Sequence, residues 1–278
     1  MSAAQTEANL RTRVAAAARP DGEMDPDRGA RLPRSPLKFF LLVFAISVPV
    51  WLIGATADVE LLPGLPLSAL DAFCPVLAAL VLVFGERKTA GAVALLKRSF
   101  DFRRIGRKRR YFPIVLLMPA VSVLVYGLMR WMNMPVPAPQ FSVLATLFMF
   151  LGFFAGALGE ELGWSGYAID PMQARWGALQ ASVLMGMVTT LWHIVPLVQA
   201  HRPSAWIAWW CLYAVAARML IVWLYDNTGK SVFAAALFHT MLNLSWMLFP
   251  VYGSFFDLRL AGLVMAFAAM VVVAWGRP

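Results

Sequence analysis

Glu160 and Glu161 stand side by side in an apolar stretch, and His193 and His239 lie inside two later ones. Ionisable side chains are costly in hydrocarbon, so where they persist they commonly line a polar cavity and carry function. A carboxylate and an imidazole together take a proton from water and pass it on, which is the chemistry of hydrolysis. Successive helical residues point about 100° apart, so the two glutamates cannot both face one cavity squarely. We assign Glu160 and His193 as the water-activating pair, with Glu160 as general base and Glu161 as a brace. Asn243 follows His239 by one helical turn on the same face, where both suit the oxyanion of a tetrahedral intermediate.

Composition indicates what must hold these residues. The 278 residues are 60% hydrophobic and 14% charged, well below the roughly 25% charge of a soluble domain. Apolar runs of about 20 residues have the length of a membrane-crossing helix, and only helices satisfy their own backbone in lipid without closing into a barrel. The expected fold is therefore all-α and polytopic. Its eight spans are Phe39–Ala57, Leu65–Phe84, Tyr111–Met129, Thr146–Ile169, Ala178–Ala200, Ala205–Leu224, Ser231–Phe249 and Arg259–Val273. Counted from the cytoplasmic ends of their spans, Glu160, Glu161 and His239 lie about 12–14 Å deep. Asn243 lies one turn deeper and His193 nominally about 22 Å in, a count that the soft start of its span shortens by several residues. The glutamates and histidines can therefore all converge near one level, in the cytoplasmic half of the bilayer.

The loop between the second and third spans carries ten basic residues, from Arg87 to Arg110, and supplies most of the net charge of +9. With the seven Lys and Arg through Lys38, it places both termini in the cytoplasm of a multi-pass cell-membrane protein. Anionic lipid headgroups, rather than nucleic acid, are the expected partner of that loop. Residues 1–37 have no apolar run, mix both charge signs, and read as a disordered cytoplasmic tail. Cys74 and Cys211 fall in apolar spans as small hydrophobes. Trp206, Trp209 and Trp210 read as interfacial anchors, Asp226–Lys230 as a turn, and Asp71 has no evident role.

Three stretches resemble motifs of one family. Glu160-Glu161-Leu162-Gly163-Trp164-Ser165-Gly166-Tyr167 resembles the first motif, two glutamates and, after three further residues, an arginine. Leu191-Trp192-His193-Ile194-Val195-Pro196-Leu197 resembles the second, and His239-Thr240-Met241-Leu242-Asn243 the third. These are the signatures of the CAAX protease and bacteriocin-processing (CPBP, Abi) family, which includes the Rce1-type prenyl proteases. The resemblance implies hydrolysis of a peptide bond in a membrane-associated or lipidated substrate, at a cavity open to the cytoplasm. It divides the chain into a 38–140 helical region, a 141–249 protease core and a 250–278 final helix. A non-catalytic binding or bacteriocin-immunity protein on the same fold is the alternative.

This chain departs from the family pattern at Ser165, which cannot balance the charge of Glu161 in a low-dielectric site. Arg218, inside the sixth span at about 9 Å depth, is the candidate replacement from another helix. No cofactor is required by this chemistry. A zinc alternative would use His193, His239 and one glutamate, leaving a fourth position for water.

Overall fold

The computed structural model describes residues 34–275 apart from 58, 63 and 64; most of the expected tail, and Arg277, lie outside the described residues. Within them the chain folds into eight α-helices: α1 (Pro36–Thr56), α2 (Cys74–Lys97), α3 (Tyr111–Trp131), α4 (Val143–Gly163), α5 (Ile169–Gln199), α6 (Ser204–Asn227), α7 (Val232–Leu248) and α8 (Leu258–Trp275). The protein is an all-α, polytopic membrane protein. Five helical stretches are long and apolar enough to cross a membrane, namely Pro36–Thr56, Leu67–Ile105, Lys108–Trp131, Val143–Gln199 and Ser204–Asn227. Val232–Leu248 and Leu258–Ala274 are apolar but shorter, so eight helices do not amount to eight membrane-length spans.

Three of the helices begin at a serine cap. Ser35, Ser142 and Ser231 accept the backbone N–H groups of Lys38, Ala145 and Ala234, giving α1, α4 and α7 side-chain caps. The long helical stretches are interrupted at two points that hydropathy does not reveal. Lys88 takes φ 56 and ψ −149 inside α2, and Gly177 takes φ 77 and ψ 167 inside α5. The expected fifth span starts just after Gly177, yet helical backbone already runs from Ile169. A two-stranded antiparallel ribbon, Glu60–Leu62 with Leu65–Pro66, joins α1 to a 3-10 turn at Leu67–Phe73. Hydropathy gives no sign of this ribbon either.

Helix α4 is the centre of the packing. It lies against α2 on one side and α7 on the other, while α6 packs on α5, α7 and α8. The approach of α4 to the 3-10 turn and to the start of α2 depends on two missing side chains. A Cβ on Gly159 would fall 2.7 Å from the Ala72 carbonyl oxygen, and one on Gly163 would fall 2.6 Å from the Pro75 Cβ and carbonyl oxygen. Both contacts are with backbone or a rigid ring, so neither can yield cheaply. Gly163→Ala is expected to destabilise the fold by about 1–3 kcal/mol, read as an earlier thermal midpoint in detergent. An unchanged midpoint would show that α2 and α4 can separate without cost.

Candidate active site

Helix α4 does not end at Gly163 but widens into a π turn, Trp164–Ala168, before α5 begins. Such turns are frequent where a helix serves a site. Here the two residues that enter the turn reach back by one turn and grip the two carboxylates. Trp164 Nε1 donates to Glu160 Oε2 at 3.2 Å, and Ser165 Oγ donates to Glu161 Oε2 at 2.5 Å. The i, i+4 spacing places each donor above its acceptor.

Two further helices complete the contacts. Arg218 of α6 donates from Nη1 to Glu161 Oε1 at 2.7 Å, and its Nη2 stands 3.9 Å from Glu160 Oε2. His239 of α7 places Nδ1 2.9 Å from Glu161 Oε1 and Nε2 3.9 Å from Glu160 Oε1. Glu161 is fully buried and bonded by a hydroxyl, a guanidinium and an imidazole, so its ionised form is satisfied on every side. Glu160 holds one hydrogen bond, from Trp164, and keeps its remaining acceptor capacity. Arg218 is 4% exposed, so it does not snorkel to the interface but lies among the helices as the counter-ion of both glutamates.

His193 and Asn243 lie around this cluster rather than in it. His193 is half-buried, and its Nδ1 donates to the Thr189 carbonyl at 2.7 Å. That bond leaves Nε2 as the free nitrogen, an acceptor in the neutral ring. The ring stands edge-on to Trp192 at 4.7 Å and is tilted by 50° against Trp210 at 5.4 Å. It is within electrostatic range of Glu160, His239 and Arg218 without bonding to any of them. Glu160 and His193 share no hydrogen bond, and a pair that acts on a water between them needs none. Asn243, half-buried on α7, makes no hydrogen bond with the described residues.

The zinc set does not assemble. Among the described residues no three His, Cys, Asp or Glu side chains are placed to share a metal ion. The inner oxygen of Glu161 is already taken by Arg218 and His239, and a divalent cation there would sit against the guanidinium.

Several residues of the site carried no sequence signal, or a different one. Trp164 drew no separate reading, although its place one helical turn after Glu160 is the spacing that could have marked it. Trp210, expected as an interfacial anchor, also walls the His193 ring. Asp71 is buried on the 3-10 turn, accepts from Trp51 Nε1 at 2.8 Å, and lies within electrostatic range of Glu160. Asp101 has a structural part: its carboxylate accepts from Ser231 Oγ at 2.8 Å, Val232 N at 3.2 Å and Phe233 N at 3.0 Å, capping the helix that bears His239.

Removing the counter-ion gives a direct test of the pair. Arg218→Ala is expected to cost about 3–5 kcal/mol in unfolding free energy, because it strands a buried carboxylate. Adding Ser165→Arg should recover much of that loss, since residue 165 already touches Glu161 from the other side. A double variant no more stable than Arg218→Ala would show that Arg218 does not act as the substitute cation.

Comparison with known proteins bears on the same helices. Residues 142–245, from the cap of α4 to near the end of α7, match the family model described as type II CAAX prenyl endopeptidase Rce1-like. Over 245 residues the chain is 27% identical to CAAX prenyl protease 2 of Methanococcus maripaludis, covering 78% of this chain and 86% of that protein.

Proposed function

We propose that this chain, whose residues 142–245 match the Rce1-like family model, is an intramembrane protease in which Glu160 activates a water for cleavage of a peptide bond. The observation that carries this reading is the unequal treatment of two adjacent glutamates. Glu161 is bonded on every side and positions Arg218 and His239, whereas Glu160 keeps acceptor capacity for a water.

The proposed chemistry needs no group beyond this chain. A water between Glu160 and the Nε2 atom of His193 donates one hydrogen to each and turns a lone pair towards the scissile carbonyl. Its oxygen bonds to the carbonyl carbon as its proton passes to Glu160. The oxyanion that forms accepts from the Asn243 amide, which has no other partner among the described residues, and from His239 Nε2. That second donor has a condition. His239 already donates through Nδ1 to Glu161, so Nε2 carries a hydrogen only in the imidazolium form. Collapse of the intermediate breaks the carbon–nitrogen bond, and Glu160 returns its proton to the departing amine.

The substrate we propose is a membrane-associated, lipid-modified tail; support comes from the membrane helices that enclose the site and from the relative described as a prenyl protease. Both termini and the cleavage site are assigned to the cytoplasmic side of the cell membrane, on the distribution of Lys and Arg.

Peptide termini in membranes carrying the natural protein should include species absent, or reduced at least about a hundredfold, with Glu160→Gln at equal expression. Identical termini in both would sink the peptidase reading and leave a binding or immunity role. Asn243→Ala separates the oxyanion role from substrate binding: kcat on the substrate so identified should fall by about 10²–10³ with KM little changed. A rise in KM alone would remove Asn243 from the oxyanion site.

A further inference from the structure

The basic loop after α2 divides by direction into two sets of residues. Arg98 faces inward: Nη1 donates to the Gly166 carbonyl at 2.9 Å, and Nη2 donates to Tyr225 Oη at 2.9 Å and to the Lys230 carbonyl at 2.6 Å. Arg110 closes the loop on itself by donating to the Ile105 carbonyl at 2.9 Å. These two arginines hold the chain in place. Lys97, Arg103, Arg107, Lys108 and Arg109 are exposed.

Exposed aromatic side chains alternate with this second set. Phe100 is 73% exposed, Phe112 is 66% exposed, and Phe102 is nearly half exposed between them. The segment takes in the end of one membrane-length helical stretch, Leu67–Ile105, and the start of the next, Lys108–Trp131, so it is held at the bilayer face. The break at Lys88 divides α2 into two helical pieces, and from Arg98 the chain runs in 3-10 turns. Cationic heads beside large apolar side chains at that level match the headgroup layer, where lysine and arginine meet phosphate and the rings reach the acyl boundary.

We infer that residues 88–112 form an interfacial elbow that docks on anionic lipid headgroups, with Phe100, Phe102 and Phe112 dipping below the phosphates. Charge complementarity selects the lipid, and the exposed phenylalanines distinguish a bilayer from a soluble polyanion, which would leave them in water. The elbow is fastened to the site. Asp101 caps α7, and Arg98 holds the Gly166 carbonyl in the π turn that follows the two glutamates. Its seat on the headgroups therefore sets the level at which Glu160 and His239 stand. The inference rests on the membrane fold and stands whether or not the peptidase chemistry is as proposed.

The test places an environment-sensitive NBD probe on Phe100→Cys in a Cys74→Ala, Cys211→Ala protein. Emission is compared in nanodiscs of phosphatidylcholine alone and of phosphatidylcholine with phosphatidylglycerol at roughly 3:1. The expected result is a blue shift, and quenching by brominated acyl chains, both greater with phosphatidylglycerol. In the anionic discs, reversing Arg103, Arg107, Lys108 and Arg109 to glutamate should return the probe to its emission in water, each reversal weakening the seat by about fivefold or more. Arg104 is left in place because it reaches towards Asp101 at 3.9 Å. Emission typical of water in both membranes would overturn the inference. So would a shift of the same size in detergent on adding oligonucleotide or inositol hexaphosphate, which would make the patch a soluble-polyanion site. Should the fourfold variant fail to fold, high salt applied to the unreversed labelled protein makes the same distinction: an anionic seat must weaken with ionic strength.

Discussion

A fully buried carboxylate must find its compensation inside the protein, and in this chain that demand falls on Glu161. The desolvation of an ion is repaid only by close opposite charge and by hydrogen bonds that use its remaining lone pairs. Arg218, His239 and Ser165 provide them from two other helices and from the π turn. Three separate pieces of backbone must therefore stand in register before the carboxylate is satisfied. The demand is also specific. An amide or hydroxyl alone would leave the charge unbalanced, and a cation held more loosely would leave lone pairs open.

The rest of the site follows from that fixed point. With Glu161 immobile, its neighbour Glu160 is aimed by helix geometry alone, and Trp164 holds its orientation from one turn further on. Helix α7 is held at its start by the Asp101 carboxylate and midway by His239, so Asn243 stands one turn beyond a fixed residue. Gly159 and Gly163 then let the 3-10 turn and α2 close against α4, which brings Asp71 and Trp51 up to the glutamates' side. The tryptophans at 164, 192 and 210 surround His193 and its neighbours with rings, adding packing without adding charge.

Hydropathy located the eight α-helices of the described residues, though not the 3-10 turns nor the shortness of α7 and α8, and depth counting brought Glu161, His239 and Arg218 near one level. It also pointed to Arg218 as the cation missing at position 165. What stayed hidden depends on backbone geometry or on partners far along the chain. The breaks at Lys88 and Gly177 fall within otherwise helical sequence. The π turn adds one residue per turn without altering composition. His193 was expected to act with Glu160 on a water, but spacing does not express the Nδ1 bond to the Thr189 carbonyl that holds its ring on its own helix. The ten basic residues formed one class by composition, and only packing separated Arg98 from those that face outward.

A counter-ion supplied from position 218 rather than 165 has a consequence for how the protein is made. The bonded pair is separated by 57 residues, so α4 leaves the ribosome well before its cation does. At roughly 5–20 residues per second the interval is several seconds, long compared with helix formation. During it, the Glu160–Glu161 end of α4 must wait near the headgroups or enter the bilayer without its charge. A cation on the same helix would have let α4 enter as a finished unit. Here α4 becomes a committed membrane helix only when α6 arrives, and biogenesis is ordered by a salt bridge.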